Sequence, residues 1–187
     1  MNLTVISGTA REGRYSHFVS QLIYQELIKR GYQVNLVDVK ELNLPLLDYT
    51  YSNHPNPSDK LKGLQQLVEK TDGFILVSPE YNGGPSAALK NTMDYFKKEY
   101  VQKVMAIATV SSGALGGMRA ATTLQQMVLW YGAYPIPLML TVPKVTEKFD
   151  ANGTLIQPDF IQAVHKFLDS FIWLTDAVSS KLKLTKN

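Results

Sequence analysis

Gly73-Phe74-Ile75-Leu76-Val77-Ser78-Pro79-Glu80-Tyr81-Asn82-Gly83-Gly84-Pro85 is the stretch on which the fold turns. Its first half is a nearly unbroken apolar run of strand length. Its second half is a polar turn rich in Gly and Pro, and Pro85 suits the first turn of a following helix. The inner face of that helix reads as Leu89, Met93 and Phe96. A strand that runs through a short loop into a helix is half of a βαβ unit.

The same alternation extends in both directions. Upstream, Leu3-Thr4-Val5-Ile6-Ser7 reads as a buried strand. Phe18, Val19, Leu22, Ile23 and Leu27 then recur at helical spacing, and Gly31 stops that helix. Gln33 to Val37 is the second strand, and Ser58-Asp59 opens a helix with Leu61, Leu64, Leu67 and Val68 on one face. Downstream, Val104 to Val110 is the fourth strand, and Leu124, Met127, Val128 and Tyr131 mark a helix ending at Gly132. Tyr134 to Thr141 is a fifth strand. Pro135 and Pro137 confine it to an edge or delay its start. A last helix begins near Pro158 and carries Phe160, Val164, Phe167, Leu168 and Phe171.

The order βαβαβαβαβα implies a parallel sheet, because parallel strands need long crossovers. The expected architecture is a three-layer α/β sandwich: five parallel strands in the order 2-1-3-4-5, helices on both faces, one domain over residues 1–187. In such a sheet, ligands sit at the carboxyl ends of the strands, beside the switch point between strands 1 and 3. Function belongs to the loops after Ile6, Val77 and Val110.

Composition narrows the chemistry. The 187 residues carry no cysteine, which removes disulfide scaffolds, thiolate metal sites and cysteine nucleophiles and fits a cytoplasmic setting. A net charge of +3 with scattered Lys and Arg is not the mark of a nucleic-acid binder. The tail cluster Lys181, Lys183 and Lys186 reads as a solvated helix end. The first residues lack a basic leader, and there is no apolar run of about 18 residues. His17, His54 and His165 show no metal-ligand spacing, so no metal is expected. No Gly-x-Ser-x-Gly elbow marks a hydrolase, no acidic pair follows the first strand, and no paired carboxylates mark a general acid and base. A cofactor that carries its own chemistry would explain that lack.

The loops agree. Ser7-Gly8-Thr9-Ala10-Arg11-Glu12-Gly13-Arg14-Tyr15-Ser16 brings glycines, hydroxyls and two arginines to a helix start, as a phosphate cradle requires. It is neither a Walker A loop nor a G-x-G-x-x-G fingerprint, and its spacing suits a single phosphomonoester. The plainer alternative is a polar loop with Ser16 as helix cap. The loop Ser78 to Pro85, which taken alone reads most simply as an ordinary Pro/Gly turn, offers an aromatic, an amide and glycines to the edge of a flat ring. Ser111-Ser112-Gly113-Ala114-Leu115-Gly116-Gly117 is small enough to lie beneath a ligand. Together they describe a nucleotide-like ligand with its phosphate on the first loop and its ring between the other two.

The run from Ser78-Pro79-Glu80-Tyr81-Asn82-Gly83-Gly84-Pro85 through Leu89-Lys90-Asn91 to Asp94-Tyr95-Phe96 resembles the signature of the NAD(P)H-dependent FMN reductases. That group includes azobenzene, quinone and chromate reductases. Gly8-Thr9-Ala10-Arg11 with Ser16 is similar to the family's phosphate loop, Gly116-Gly117-Met118-Arg119-Ala120 to its third-loop motif, and Leu44-Pro45-Leu46 to a further short motif. The likeness runs in order over roughly residues 2 to 140. It implies a flavodoxin-like fold that binds FMN non-covalently, usually as a homodimer or homotetramer, with NAD(P)H as co-substrate and a small-molecule electron acceptor. Carried over by position, Thr9, Arg11 and Ser16 would hold the phosphate, with His17 beside them. Pro79, Glu80, Tyr81, Asn82 and Gly83 would border the isoalloxazine, mainly through backbone. Ser111 and Gly113 would flank its other edge. No catalytic side chain is implied, since the flavin carries the hydride chemistry. The first loop departs from shorter members by inserting Arg14-Tyr15 before Ser16.

Two other readings stand beside the reductase: a flavodoxin-type electron carrier and a flavin-based redox sensor without turnover. Flavodoxins are typically strongly acidic, whereas this chain is net positive. The segment Lys40 to Pro57, with Tyr49, Tyr51 and His54, is long for its place; it reads either as a plain surface loop or as a wall of an acceptor pocket in this subunit or its neighbour. The helix after Pro85 and the one carrying Met118, Leu124, Met127 and Trp130 are equally consistent with a dimer interface and with core.

Overall fold

The computed structural model describes residues 1–184. Its main strands are β1 (Asn2–Ser7), β2 (Gln33–Asp38), β3 (Gly73–Tyr81) and β5 (Val104–Val110), with short strands β4 (Gly84–Pro85), β6 (Tyr134–Pro135) and β7 (Leu140–Val142). The helices are α1 (Tyr15–Lys29), α2 (Val39–Leu42), α3 (Asp59–Lys70), α4 (Ala87–Asp94), α5 (Met118–Trp130) and α6 (Phe160–Leu184). The sheet runs β2-β1-β3-β5-β6, with β7 continuing beside β5 and β4 attached to β3. Counting β5 and the β6–β7 pair as fourth and fifth, this is the expected flavodoxin-like order. All pairs are parallel except β3 with β4.

The apolar run of β3 is buried on both sides. Ile75 and Val77 share one core with Val19, Ile23 and Leu27 of α1 and Phe167 and Phe171 of α6. Phe74 and Leu76 share the other with Leu61 and Leu64 of α3, Leu89 and Met93 of α4 and Leu124 and Val128 of α5. A strand covered on both faces has no solvent side to make polar, which is why residues 73–77 show no alternation.

Two expectations need correction. The fifth strand is split: Tyr134–Pro135 pairs with Val104 and Met105, the chain then leaves the sheet, and Leu140–Val142 pairs with Ala108 to Val110. At its start the Tyr134 amide donates to Lys103 O at 2.8 Å and the Ile136 amide to Met105 O at 3.1 Å. Pro135 and Pro137 therefore alternate onto the outer edge, where no donor is needed. Pro85 is not in the first turn of a helix. It ends a two-residue strand, Ser86 is the cap, and α4 begins at Ala87. The missing N–H of Pro85 is tolerated because β4 pairs with β3 alone and Pro85 stands opposite Glu80, one step beyond the turn-closing Tyr81–Gly84 pair, with its nitrogen toward the free edge.

The long segment after β2 is ordered. The Asn91 side chain of α4 donates to Pro45 O at 2.7 Å and accepts from the Leu47 amide at 2.9 Å. The Tyr95 hydroxyl adds a 3.0 Å bond to the same carbonyl, and the Tyr51 amide donates to Tyr95 O at 2.8 Å. Leu46 is held outward, 84% exposed. Of the tail lysines, Lys181 lies in α6. Lys186 and the side chain of Lys183 are outside the described residues. No described helix is long and apolar enough to cross a membrane.

Candidate functional site

The first loop leaves β1 pressed against β3. The Gly8 amide donates to Val77 O at 2.8 Å, and a Cβ on Gly8 would stand 2.6 Å from that oxygen. Only glycine permits this approach. Arg14 then occupies the cap position of α1, but its side chain caps nothing. It turns away to pair with both carboxylate oxygens of Asp38, with Nη2 at 2.5 Å from Oδ2, and donates to Thr9 O at 2.7 Å. The first turn of α1 carries no acidic residue.

Ser16 sits in that bare turn. It is 3% exposed, and its hydroxyl is the one buried side-chain polar atom without a partner among the described residues. It is therefore not the cap that the plainer reading expects. An unpaired buried hydroxyl costs about 1–3 kcal/mol. An uncapped helix start with such a donor beside it is an arrangement that an anion completes. The phosphate of FMN fits this donor set.

His17 turns elsewhere. Its Nδ1 is 3.0 Å from Ser7 Oγ and 3.5 Å from Asp38 Oδ2, behind the loop. Burial lowers its pKa, and the Arg14 charge adds to that against the opposing pull of Asp38 and Glu41. Burial pushes the Asp38 carboxyl up. Hydrogen bonds from Arg14 and the Lys40 amide, together with the Arg14 charge, outweigh burial and hold it below its usual value.

The second loop is a tight hairpin. Glu80 pairs with Pro85 and Tyr81 with Gly84, leaving Asn82 (φ 51°) and Gly83 (φ 80°) as a two-residue connection. Positive φ at both central positions is the demand of a type I′ turn, which Asn-Gly meets best. Among the described residues the amides of Asn82 and Gly83 have no backbone acceptor. At the foot of this hairpin the Ser86 amide donates to Ser78 Oγ at 3.1 Å. The Ser86 hydroxyl accepts from the Leu89 amide at 3.1 Å and donates to Gly8 O, so it caps α4 and ties the first two loops together. The Glu80 carboxylate reaches across to α5, accepting from the Arg119 amide at 3.0 Å and the Ala120 amide at 3.2 Å.

The third loop is tied to the stretch after β7. Ser111 O accepts from the Val145 amide and Gly113 O from the Lys144 amide, both at 3.2 Å, while Ser111 Oγ accepts from the Gly113 amide at 2.9 Å.

The three loops enclose a cleft of about 270 Å³ at the carboxyl ends of the strands. Of the residues expected from sequence, Arg11, Ser16, Pro79, Glu80, Tyr81 and Ser111 line it. Thr9 lies beneath, its hydroxyl 3.0 Å from the Tyr81 hydroxyl, and the Arg11 guanidinium stands 5.8 Å from the centre of the Tyr81 ring. His17, Asn82, Gly83 and Gly113 are outside the lining. The cleft also takes in Gly13, Arg14, Tyr15, Val110 and Ser112, which the sequence placed in or beside these loops without assigning them a contact, and Val145 and Thr146, which sequence reasoning did not single out. Val145 and Thr146 follow the carboxyl end of β7, so the rule that pointed to the other three loops would have found them. Among the described residues no cluster of His, Asp or Glu is arranged to hold a metal.

The model of a family described as NADPH-dependent FMN reductase matches residues 1–147. An NADPH azoreductase of Bacillus sp. (strain OY1-2) is 31% identical over 183 residues, 97% of this chain and 98% of that protein. A 2-hydroxy-1,4-benzoquinone reductase of Burkholderia sp. is 25% identical over 187 residues, 94% of this chain and 97% of the relative. Among solved structures, FerB, a flavoenzyme NAD(P)H:(acceptor) oxidoreductase from Paracoccus denitrificans, superposes with a TM-score of 0.81 at 17% identity, covering 95% of this chain and 98% of that one. At that identity the likeness speaks to the fold.

Proposed function

Because the chain belongs to the NADPH-dependent FMN reductase family, we propose that it is an NAD(P)H-dependent flavin oxidoreductase. It acts as a single FMN-binding domain and passes two electrons to quinones, azo compounds or similar small acceptors. The observation that carries this reading is the uncapped start of α1 with the partnerless Ser16 hydroxyl beside it. Bound FMN supplies two-electron hydride chemistry between NAD(P)H and the acceptor.

The protein's own residues bind and orient. Arg11 and Ser16, with Thr9 beneath them, hold the phosphate, and the amides of the first turn of α1 add their dipoles. Pro79, Tyr81 and Ser111 border the ring. The amides of Asn82 and Gly83, just beyond the lining of the cleft and without a backbone acceptor among the described residues, would serve as donors along the ring's edge and favour negative charge there. No side chain is required to move a proton to the nicotinamide. Hydride transfer depends on stacking and orientation, which the hairpin after β3 and the loop after β5 would maintain.

Trp130, 83% exposed, and Leu129, 60% exposed, form an apolar end on α5. We infer that this end, with α4, meets a second copy of the chain, since exposed apolar patches commonly mark interfaces. Leu124 of the same helix is core. A cytoplasmic setting accords with a chain that carries no cysteine.

The test is spectroscopic. Purified protein loaded with FMN should bleach on anaerobic addition of NADPH or NADH and recolour when a quinone or azo dye is added, with steady-state turnover. A flavin that stays oxidised under NAD(P)H overturns the proposal. Bleaching without turnover on any acceptor points to a carrier or sensor.

A further inference from the structure

Arg14 is the residue whose place in the loop is unexplained by phosphate contact alone. It lies at the cap of α1 and beside the cleft, yet its two terminal nitrogens make three hydrogen bonds within the protein. It meets both oxygens of Asp38 and the carbonyl of Thr9. Both side chains of the pair are 13% exposed. Asp38 is fixed in turn, since its Oδ1 accepts from the Lys40 amide at 3.0 Å where β2 gives way to α2. The pair thus ties the first loop to the end of a neighbouring strand. Fixing the Thr9 carbonyl fixes the plane of the Thr9–Ala10 peptide, and with it the direction of the Ala10 amide. It also anchors the residue that precedes Tyr15 and Ser16.

We propose that Arg14 and Asp38 are a positioning pair for the anion cradle, holding the Thr9 peptide and the start of α1 in the phosphate-binding arrangement before any ligand arrives. The inference rests on the FMN reading above and deepens it. Arg11, exposed and without an acidic partner among the described ion pairs, is left to meet the phosphate charge. Arg14 acts through the backbone it holds. A cradle that is assembled in advance loses less on binding than one ordered by the ligand.

The experiment compares FMN with riboflavin, which differ by the phosphate alone. Apoprotein of wild type, Arg14→Gln, Asp38→Asn and the double variant is titrated with each flavin, following flavin fluorescence. Circular dichroism and thermal melting of each apoprotein run alongside, and Arg14→Lys is held as a milder substitute should Arg14→Gln not fold. The quantity read is the ratio of the two dissociation constants. Each single variant should cut the preference for FMN roughly tenfold, about the value of one charge-assisted hydrogen bond. The double variant should cut it no further, as members of one unit are not additive. An Asp38→Asn protein with the wild-type ratio, beside an Arg14 variant that has lost it, would show Arg14 touching the phosphate itself and overturn the pair. Equal losses for both flavins would reduce the pair to general stability and overturn it as well. Wild type that prefers FMN no more than riboflavin would overturn the cradle, and the pair with it.

Discussion

Two helices begin side by side on the same rim, and they begin differently. The start of α4 is closed within the protein. The Ser86 hydroxyl takes the Leu89 amide, its own proton goes to Gly8 O, and its amide goes to Ser78. The start of α1 is open, with no side-chain cap, no acidic residue and a buried Ser16 hydroxyl that bonds nothing. The neighbouring α5 is closed too, by the Glu80 carboxylate. The fold satisfies the starts of α4 and α5 from its own side chains and leaves that of α1 bare, and the proposal of a phosphate at α1 rests on this difference. That contrast supports the proposed phosphate site more strongly than the presence of glycines does.

The joint between the two starts is Gly8, and disturbing it should have the largest effect. Gly8→Ala would place a methyl group against Val77 O and Leu89. We expect a loss of about 3 kcal/mol in stability, read by denaturant titration, because backbone on one side cannot yield. A variant within experimental error of wild type would mean that the two loops are not locked together.

Next comes Ser16→Ala. FMN affinity should fall about 10- to 100-fold, the worth of a hydrogen bond to a charged group. The melting temperature of the apoprotein should hold or rise, since an unsatisfied buried hydroxyl has been removed. Ser86→Ala should do the reverse. It should cost about 1 kcal/mol, or roughly 2–4 °C in melting temperature, through loss of a cap. The ratio of FMN to riboflavin affinity should stay near that of wild type. If the two alanine variants behave alike, the distinction between open and closed starts fails.

The smallest effect concerns His17. Burial and the nearby Arg14 lower its pKa in the folded protein from 6.5. The unfolded chain therefore takes up the proton first as pH falls. Apoprotein stability should be complete above pH 6.5 and decline as pH drops through that value towards the folded pKa. His17→Asn should flatten this slope in melting curves recorded against pH. An unchanged slope would assign it to other groups.

How far the sequence could be read depended on the range of the interactions involved. The strands and helices, their buried faces and the rim loops follow from periodicity and from the length of the crossovers, which are local signals, while the strand order follows from the doubly wound arrangement that five such strands suit. Pro85 misled because proline suits a helix start and a strand end equally. Only the pairing of Glu80 with Pro85 decides between them, and pairing is a property of two segments. The same holds for Glu80. From sequence it borders a ring through its backbone, but in the fold its carboxylate crosses 39 positions to close α5. Arg14 was visible as a charge in the loop. Its partner Asp38, 24 residues away, was not. The orphaned state of Ser16 could not be read at all, because an absent partner is defined by everything packed around it.

The Asn91 clamp on the segment after β2 has a consequence for how such an enzyme changes. Asn91 grips Pro45 and Leu47 entirely through main-chain atoms, as a neighbouring strand would. Leu44 and Tyr51 on either side pack against the core, Tyr51 with its ring 5.7 Å from that of Phe96, but the Leu46 side chain between the two main-chain contacts takes no part in holding the segment. Leu46, standing almost fully in solvent, can be exchanged for a charge, an aromatic ring or a hydroxyl while the backbone keeps its path. The fold thus keeps, at Leu46, a position whose chemistry can drift under selection independently of the shape of the segment.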